Sequence, residues 1–221
     1  GECQDSTRQY REAKKAIAIV GHASVVKGQS VGKDCEFPFK DNFVFSSAGY
    51  YTVCSAVPGP FGRVTPKEIK MGVPAVFPIR QFAQEFEQLN NIKLRVINVP
   101  GGGEALASVL SGDVDYAILP EFSAVEAERQ GKLSCQSLDP SDLTYFGREY
   151  KIKTTPFYFM VFVIHKGLSP EQAQSLNKAL QQQNVQAWLK SMEWKDSTFM
   201  PSNQKVEQIK QTIEQHRLLY K

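Results

Sequence analysis

The chain is poor in the residue patterns that mark catalysis, metal binding or membrane insertion. Its 221 residues include three histidines and four cysteines. Three imidazoles leave little material for acid–base or metal chemistry, and neither HExxH nor a GxSxG elbow occurs. Cys3, Cys35, Cys54 and Cys135 show no CxxC spacing and adjoin no histidine pair, which argues against zinc. GxGxxG and the GxxxxGK phosphate loop are absent too. No apolar run approaches the ~20 residues that cross a bilayer. The longest, Phe157–Ile164, suits a buried strand. A net charge of +3 is too small to argue for nucleic acid or an anionic membrane. The tightest basic group, Arg11, Lys14 and Lys15, is broken by an acid and reads as a solvated helix face. No signal peptide is visible, so the chain is expected to be cytosolic or already processed.

What is present is a globular composition, 42% hydrophobic and 22% charged, in a length that buries one domain core or two small lobes. The even cysteine count fits one bridge, then Cys35–Cys54, or unpaired buried thiols. Residues 92–131 carry the clearest organisation. Ile92–Val99 is β-branched and ends at Pro100, and Gly101-Gly102-Gly103 turns the backbone. Glu104 then opens a helix with Leu106, Val109 and Leu110 on one face. Ser111-Gly112-Asp113 ends it, Asp115–Leu119 is a strand, and Pro120-Glu121 begins the next helix. Two strands joined by a helix imply a parallel sheet, whose ligands gather where strand ends meet helix N-termini.

The same strand, small-residue loop and helix recur at 16–24 and 69–78. Residues 7–15 read as a helix, Phe43–Ser47 and Tyr51–Val57 as strands parted by Gly49, and Pro58–Gly62 as a connector. Pro78 stands at a helix start, followed by Ile79, Phe82, Phe86 and Leu89 at helical spacing. Leu143–Gly147 reads as a short strand and Pro156–His165 as a strong one. Ser169-Pro170-Glu171 caps the first of the C-terminal helices, the last of which begins near Ser202.

The run Gly101-Gly102, Ala105-Leu106, Gly112-Asp113-Val114-Asp115, Ser123-Ala124-Val125 and Gly131-Lys132-Leu133 resembles the Bug, or TctC-like, extracytoplasmic solute receptors of tripartite tricarboxylate transporters. Gly167–Glu171 with Leu176–Leu180 is similar to that family's closing helices. The resemblance implies an α/β fold of periplasmic-binding-protein type, two lobes with largely parallel sheets flanked by helices. Lobe one is then 1–60 with 157–221, and lobe two 61–156. It implies a receptor in the periplasm that captures a small organic anion, a carboxylate, between its lobes and passes it to integral-membrane transporter subunits. No enzyme activity, cofactor, metal or nucleic acid is implied.

Three departures from the family pattern matter. Its first strand and Gly-rich loop have no counterpart before Ala16, so lobe one is expected to be incomplete, the chain being either a fragment or completed by self-association. The lobe-two loop is Gly72–Phe77, with few hydroxyl donors, and its frequent acidic residue is replaced by Leu119-Pro120; both point to a more apolar ligand.

The candidate ligand-binding residues are Gly21, His22, Ala23 and Ser24; Gly72, Val73, Pro74 and Ala75; Gly101, Gly102, Gly103 and Glu104; and Pro120 and Glu121. Backbone N–H groups at such turns hold an anion without a fixed positive side chain. His22 and Ser24 read equally as solvated loop residues, Gly101–Gly103 as a plain tight turn, and Glu104 and Glu121 as acids that stabilise a helix start. Tyr51, Phe159 and Phe162 read as core. A second reading makes the chain a diverged binding-protein remnant acting as a sensor or assembly partner.

Overall fold

A computed structural model of the chain describes residues 5–21, 42–59, 67–74, 77, 79–138, 158–192, 194 and 196–219. The chain forms two compact units, Gly1–Ala48 with Phe159–Lys221, and Gly49–Tyr158. Both are mixed α/β.

The first unit contains α1 (Asp5–Glu12), β1 (Ala16–Gly21), the opening half of β2 (Asn42–Ala56) and nearly all of β7 (Tyr158–Lys166). It closes with α5 (Pro170–Leu180), α6 (Gln183–Ser191), β8 (Thr198–Phe199) and α7 (Asn203–Leu219). β1 and β7 pair antiparallel from Ala16↔Lys166 to Gly21↔Val161, and β8 pairs with β2 at Phe45↔Phe199. Side chains alternate across a strand, so the apolar run of β7 serves both faces. Met160, Phe162 and Ile164 pack with Tyr10 of α1 and Ile209 and Ile213 of α7. Val163 packs with Val44, Phe45 and Leu189 of α6, flanked by Leu176 and Leu180 of α5. On β1, Ile17 and Ile19 point away from the core and are 52% and 77% exposed.

The second unit carries the rest of β2, then β3 (Glu68–Pro74), α2 (Ile79–Asn90), β4 (Lys93–Val99), α3 (Gly102–Ser111), β5 (Tyr116–Pro120), α4 (Glu121–Arg129) and β6 (Leu133–Ser137). The strand order is β6-β2-β5-β3-β4, with β3 parallel to β4 and β5. The sheet is mixed rather than largely parallel, since β2 runs antiparallel to β5, β6 and β8, and β7 antiparallel to β1.

One face of this sheet holds Cys54, Val114, Ala117 and Leu119 under α3 and α4, which contribute Ala105, Val109, Ala124 and Ala127. The other holds an aromatic ladder, Tyr51–Phe77–Phe82–Phe86, with ring centroids 4.9, 5.7 and 5.9 Å apart. Phe82 and Phe86 are the helical stripe of α2, and each buried ring contributes roughly 1.5–3 kcal/mol of transfer free energy. α3 ends at Gly112, whose φ of 82° is the left-handed conformation that glycine adopts without strain.

Two expectations are corrected. β2 is a single strand through Gly49, not two strands, because each half finds its own partners: β8 at one end, β5 and β6 at the other. Cys54 pairs with Cys135, not Cys35. These two residues oppose each other across β2 and β6 with Cα atoms 4.1 Å apart, the close approach typical of a non-hydrogen-bonded antiparallel pair. Leu143–Gly147 lies outside the described residues.

Candidate functional site

The three parallel strands of the second unit finish along one edge. β3 runs beside β4 out to Pro74↔Val99, and beside β5 through Met71↔Tyr116 and Gly72↔Ala117. The chain leaves β3 for β4 on one side, then crosses back through α3 to β5 on the other. That reversal makes the gap between β3 and β5 a topological switch point, where open α/β sheets bind ligands outside their carboxyl ends. Pro74 and Pro120, the last residues of β3 and β5, border it.

Glycine at 72 allows the crossing helix to sit down. A Cβ there would stand 3.1 Å from Ser108 Oγ and 3.2 Å from Val114 Cγ2. At the switch point itself, a Cβ on Gly102 would lie 3.4 Å from both Pro120 Cδ and Ser123 Oγ. The turns after β4 and β5 are therefore in contact. Gly103 faces open space, with nothing within 4 Å of its Cβ position.

The way these helices begin sets the electrostatics. α3 starts at Gly101 and α4 at Pro120, and neither residue has a side chain able to cap the first-turn N–H groups. α5 begins instead with a complete capping box, Ser169 Oγ accepting from Gln172 N at 3.1 Å and Gln172 Oε1 accepting from Ser169 N at 3.0 Å. The starts of α3 and α4 thus present partial positive charge and donors at the edge where their turns touch.

Two acids lie beside these donors. The carboxylate of exposed Glu104 folds back toward its helix start, with Oε2 3.3 Å from the Gly101 Cβ position. Glu121 is buried, and its Oε1 accepts a hydrogen bond from Ser137 of β6. That oxygen is thereby turned toward the sheet.

The candidate residues are placed as follows. Gly101, Gly102, Gly103, Glu104, Pro120 and Glu121 come together, with Pro74 ending the neighbouring strand. Gly72, Val73 and Pro74 are buried strand residues, Val73 at 0% exposure. Gly21 ends β1 in the first unit. His22, Ala23, Ser24 and Ala75 lie outside the described residues. The apolar character of 72–77 does not line a ligand surface at Val73 and Phe77. Both are core, Phe77 wedged between Tyr51 and Phe82 and held by Phe77 N donating to Pro74 O at 2.9 Å. The spacing missed Ser123 as a site neighbour, although it falls within one helical turn of Pro120. Among the described residues no group of three His, Cys, Asp or Glu gathers to hold a metal.

No family model and no curated protein matches the sequence. Solved structures do. A TctC solute-binding protein from Polaromonas aligns over 92% of this chain and 75% of its own, at 12% identity and a TM-score of 0.54. MatC from Rhodopseudomonas palustris, solved with bound malate, aligns over 98% and 83%, at 14% identity and 0.66. The periplasmic binding protein BugD aligns over 97% and 79%, at 13% identity and 0.60. The Polaromonas protein is a solute-binding protein and BugD a periplasmic binding protein. The chain has the α/β fold of the TctC- and Bug-type periplasmic solute-binding proteins.

Proposed function

We propose that this chain is an extracytoplasmic solute receptor that binds a small carboxylate and delivers it to a membrane transporter. The observation that carries the reading is the pair of helix starts, at Gly101 and Pro120, that lack a capping side chain and touch at the switch point of a parallel sheet. The bound malate of MatC is the kind of ligand such donors suit. The Cys54–Cys135 bridge favours an oxidising compartment such as the periplasm. Gly102, Gly103 and Glu104 supply amide donors, and Ser123 a hydroxyl. The two lobes are proposed to follow the sequence boundaries, 1–60 with 157–221 and 61–156.

Thermal unfolding with malate tests this. A ligand at about 100 times its Kd stabilises the folded state by about 2.7 kcal/mol, a Tm rise of roughly 5–10 °C for a chain this size. No rise with malate, succinate or adipate at millimolar concentration overturns the reading.

A second reading, an assembly partner without transport, has its own support. Ile17 and Ile19 are exposed on β1, the edge strand among those described in its unit, and unpaired edges with apolar faces template association. Sedimentation decides it. A dimer that Ile19→Ser dissociates supports this reading, and a monomer at all concentrations refutes it.

A further inference from the structure

A cavity of about 560 Å³ opens within the first unit, lined by none of the residues at the helix starts of α3 and α4. It sits at the ends of β2 and β7 opposite to those where the strands leave the unit. Asn42 is six residues before Ala48, and His165 six after Phe159, about 20 Å of extended chain in each case. The volume lies in the range of small-molecule sites.

The lining is two-sided. Asn42, His165, Asn203 and Lys210 supply polar groups, and Leu168 and Val206 apolar surface. His165 is 5% exposed, an imidazole brought into the interior at the wall of this cavity. Lys210 Nζ is 3.0 Å from Glu207 Oε1, one helical turn away, with Glu207 64% exposed. A pair this solvated is weak, so an incoming anion can displace Glu207 from the ammonium. The N-terminus of α5 carries its own capping box, leaving Lys210 as the charge anchor, with Asn203 and His165 lining the same cavity.

We propose that the first unit carries a second small-molecule site, for an amphipathic monocarboxylate: carboxylate toward Lys210, Asn203 and His165, apolar body against Leu168 and Val206. Such a site is independent of the malate-type site of the second unit.

Benzoate is the probe and benzyl alcohol its uncharged control. In amide NMR spectra of the whole chain, benzoate is expected to give saturable shifts at Leu168–Ala173 and Asn203–Lys210 and none at Gly101–Glu104. Lys210→Gln should weaken benzoate about tenfold, the loss of one charged hydrogen bond, and leave the malate response unchanged. Ala173→Phe, which fills the cavity, should abolish benzoate shifts while the rest of the spectrum stays dispersed. Shifts that never saturate, shifts confined to Gly101–Glu104, or equal affinity for benzyl alcohol each overturn the proposal. Malate binding is read separately at Gly101–Glu104, so the two readings fail separately.

Discussion

Gly102 rests against Pro120, a residue eighteen positions later, at a separation that leaves room for one methyl group and no more. The contact fixes the spacing of two helix starts, and with it the distance between two sets of backbone donors. The proposed carboxylate site depends on that spacing.

Gly103 offers the cleanest test, because no described residue comes within 4 Å of its Cβ position. Leucine there improves helix propensity by roughly 0.8 kcal/mol relative to glycine. Gly103→Leu is expected to hold or raise the urea midpoint while removing malate binding by calorimetry. Retained binding would show that the donors of α3 face no ligand.

Glu104 places a negative charge where an anion is proposed to bind. Glu104→Gln is expected to lower stability by about 0.5 kcal/mol, through the lost dipole interaction, and to strengthen malate binding several-fold. The paired measurement matters: weaker binding and unchanged stability would reverse the assignment of this carboxylate.

Phe82 stands between two rings in the core of the second unit. Phe82→Ala should cost about 3–5 kcal/mol in denaturant unfolding. Its neighbour Phe77 leads back to Pro74, so malate affinity should fall as well, by loosening the end of β3. A loss below about 1 kcal/mol would mean that the ladder is not packed as described.

Much of this fold was legible because its signals are local. Gly101, the apolar spacing through Val109 and the left-handed Gly112 define α3 within a dozen residues, and Ser169-Pro170 does the same for α5. Even there the buried face of α3 centres on Ala105 and Val109, with Leu110 41% exposed. Small side chains mark the closest approach of helix to sheet, and hydrophobicity alone does not rank them. The disulfide and the continuity of β2 were not legible. Both depend on strand partners far away in the chain, Cys135 opposite Cys54 and Phe199 opposite Phe45, and no local pattern encodes such pairings. The candidate site was legible at Gly101–Glu104 and Pro120, where glycine and proline govern the turns. It was not legible at Val73, which is buried, since an apolar residue looks the same in sequence whether it faces a guest or the interior.

The bridge from Cys54 to Cys135 spans 81 positions. Within that circuit run β3, β4, β5 and both of the helix starts proposed to capture the anion. This part of the molecule is therefore a covalent ring. A protease nick anywhere along it leaves both pieces tethered, migrating as one species without reductant and as two once the sulfurs are freed.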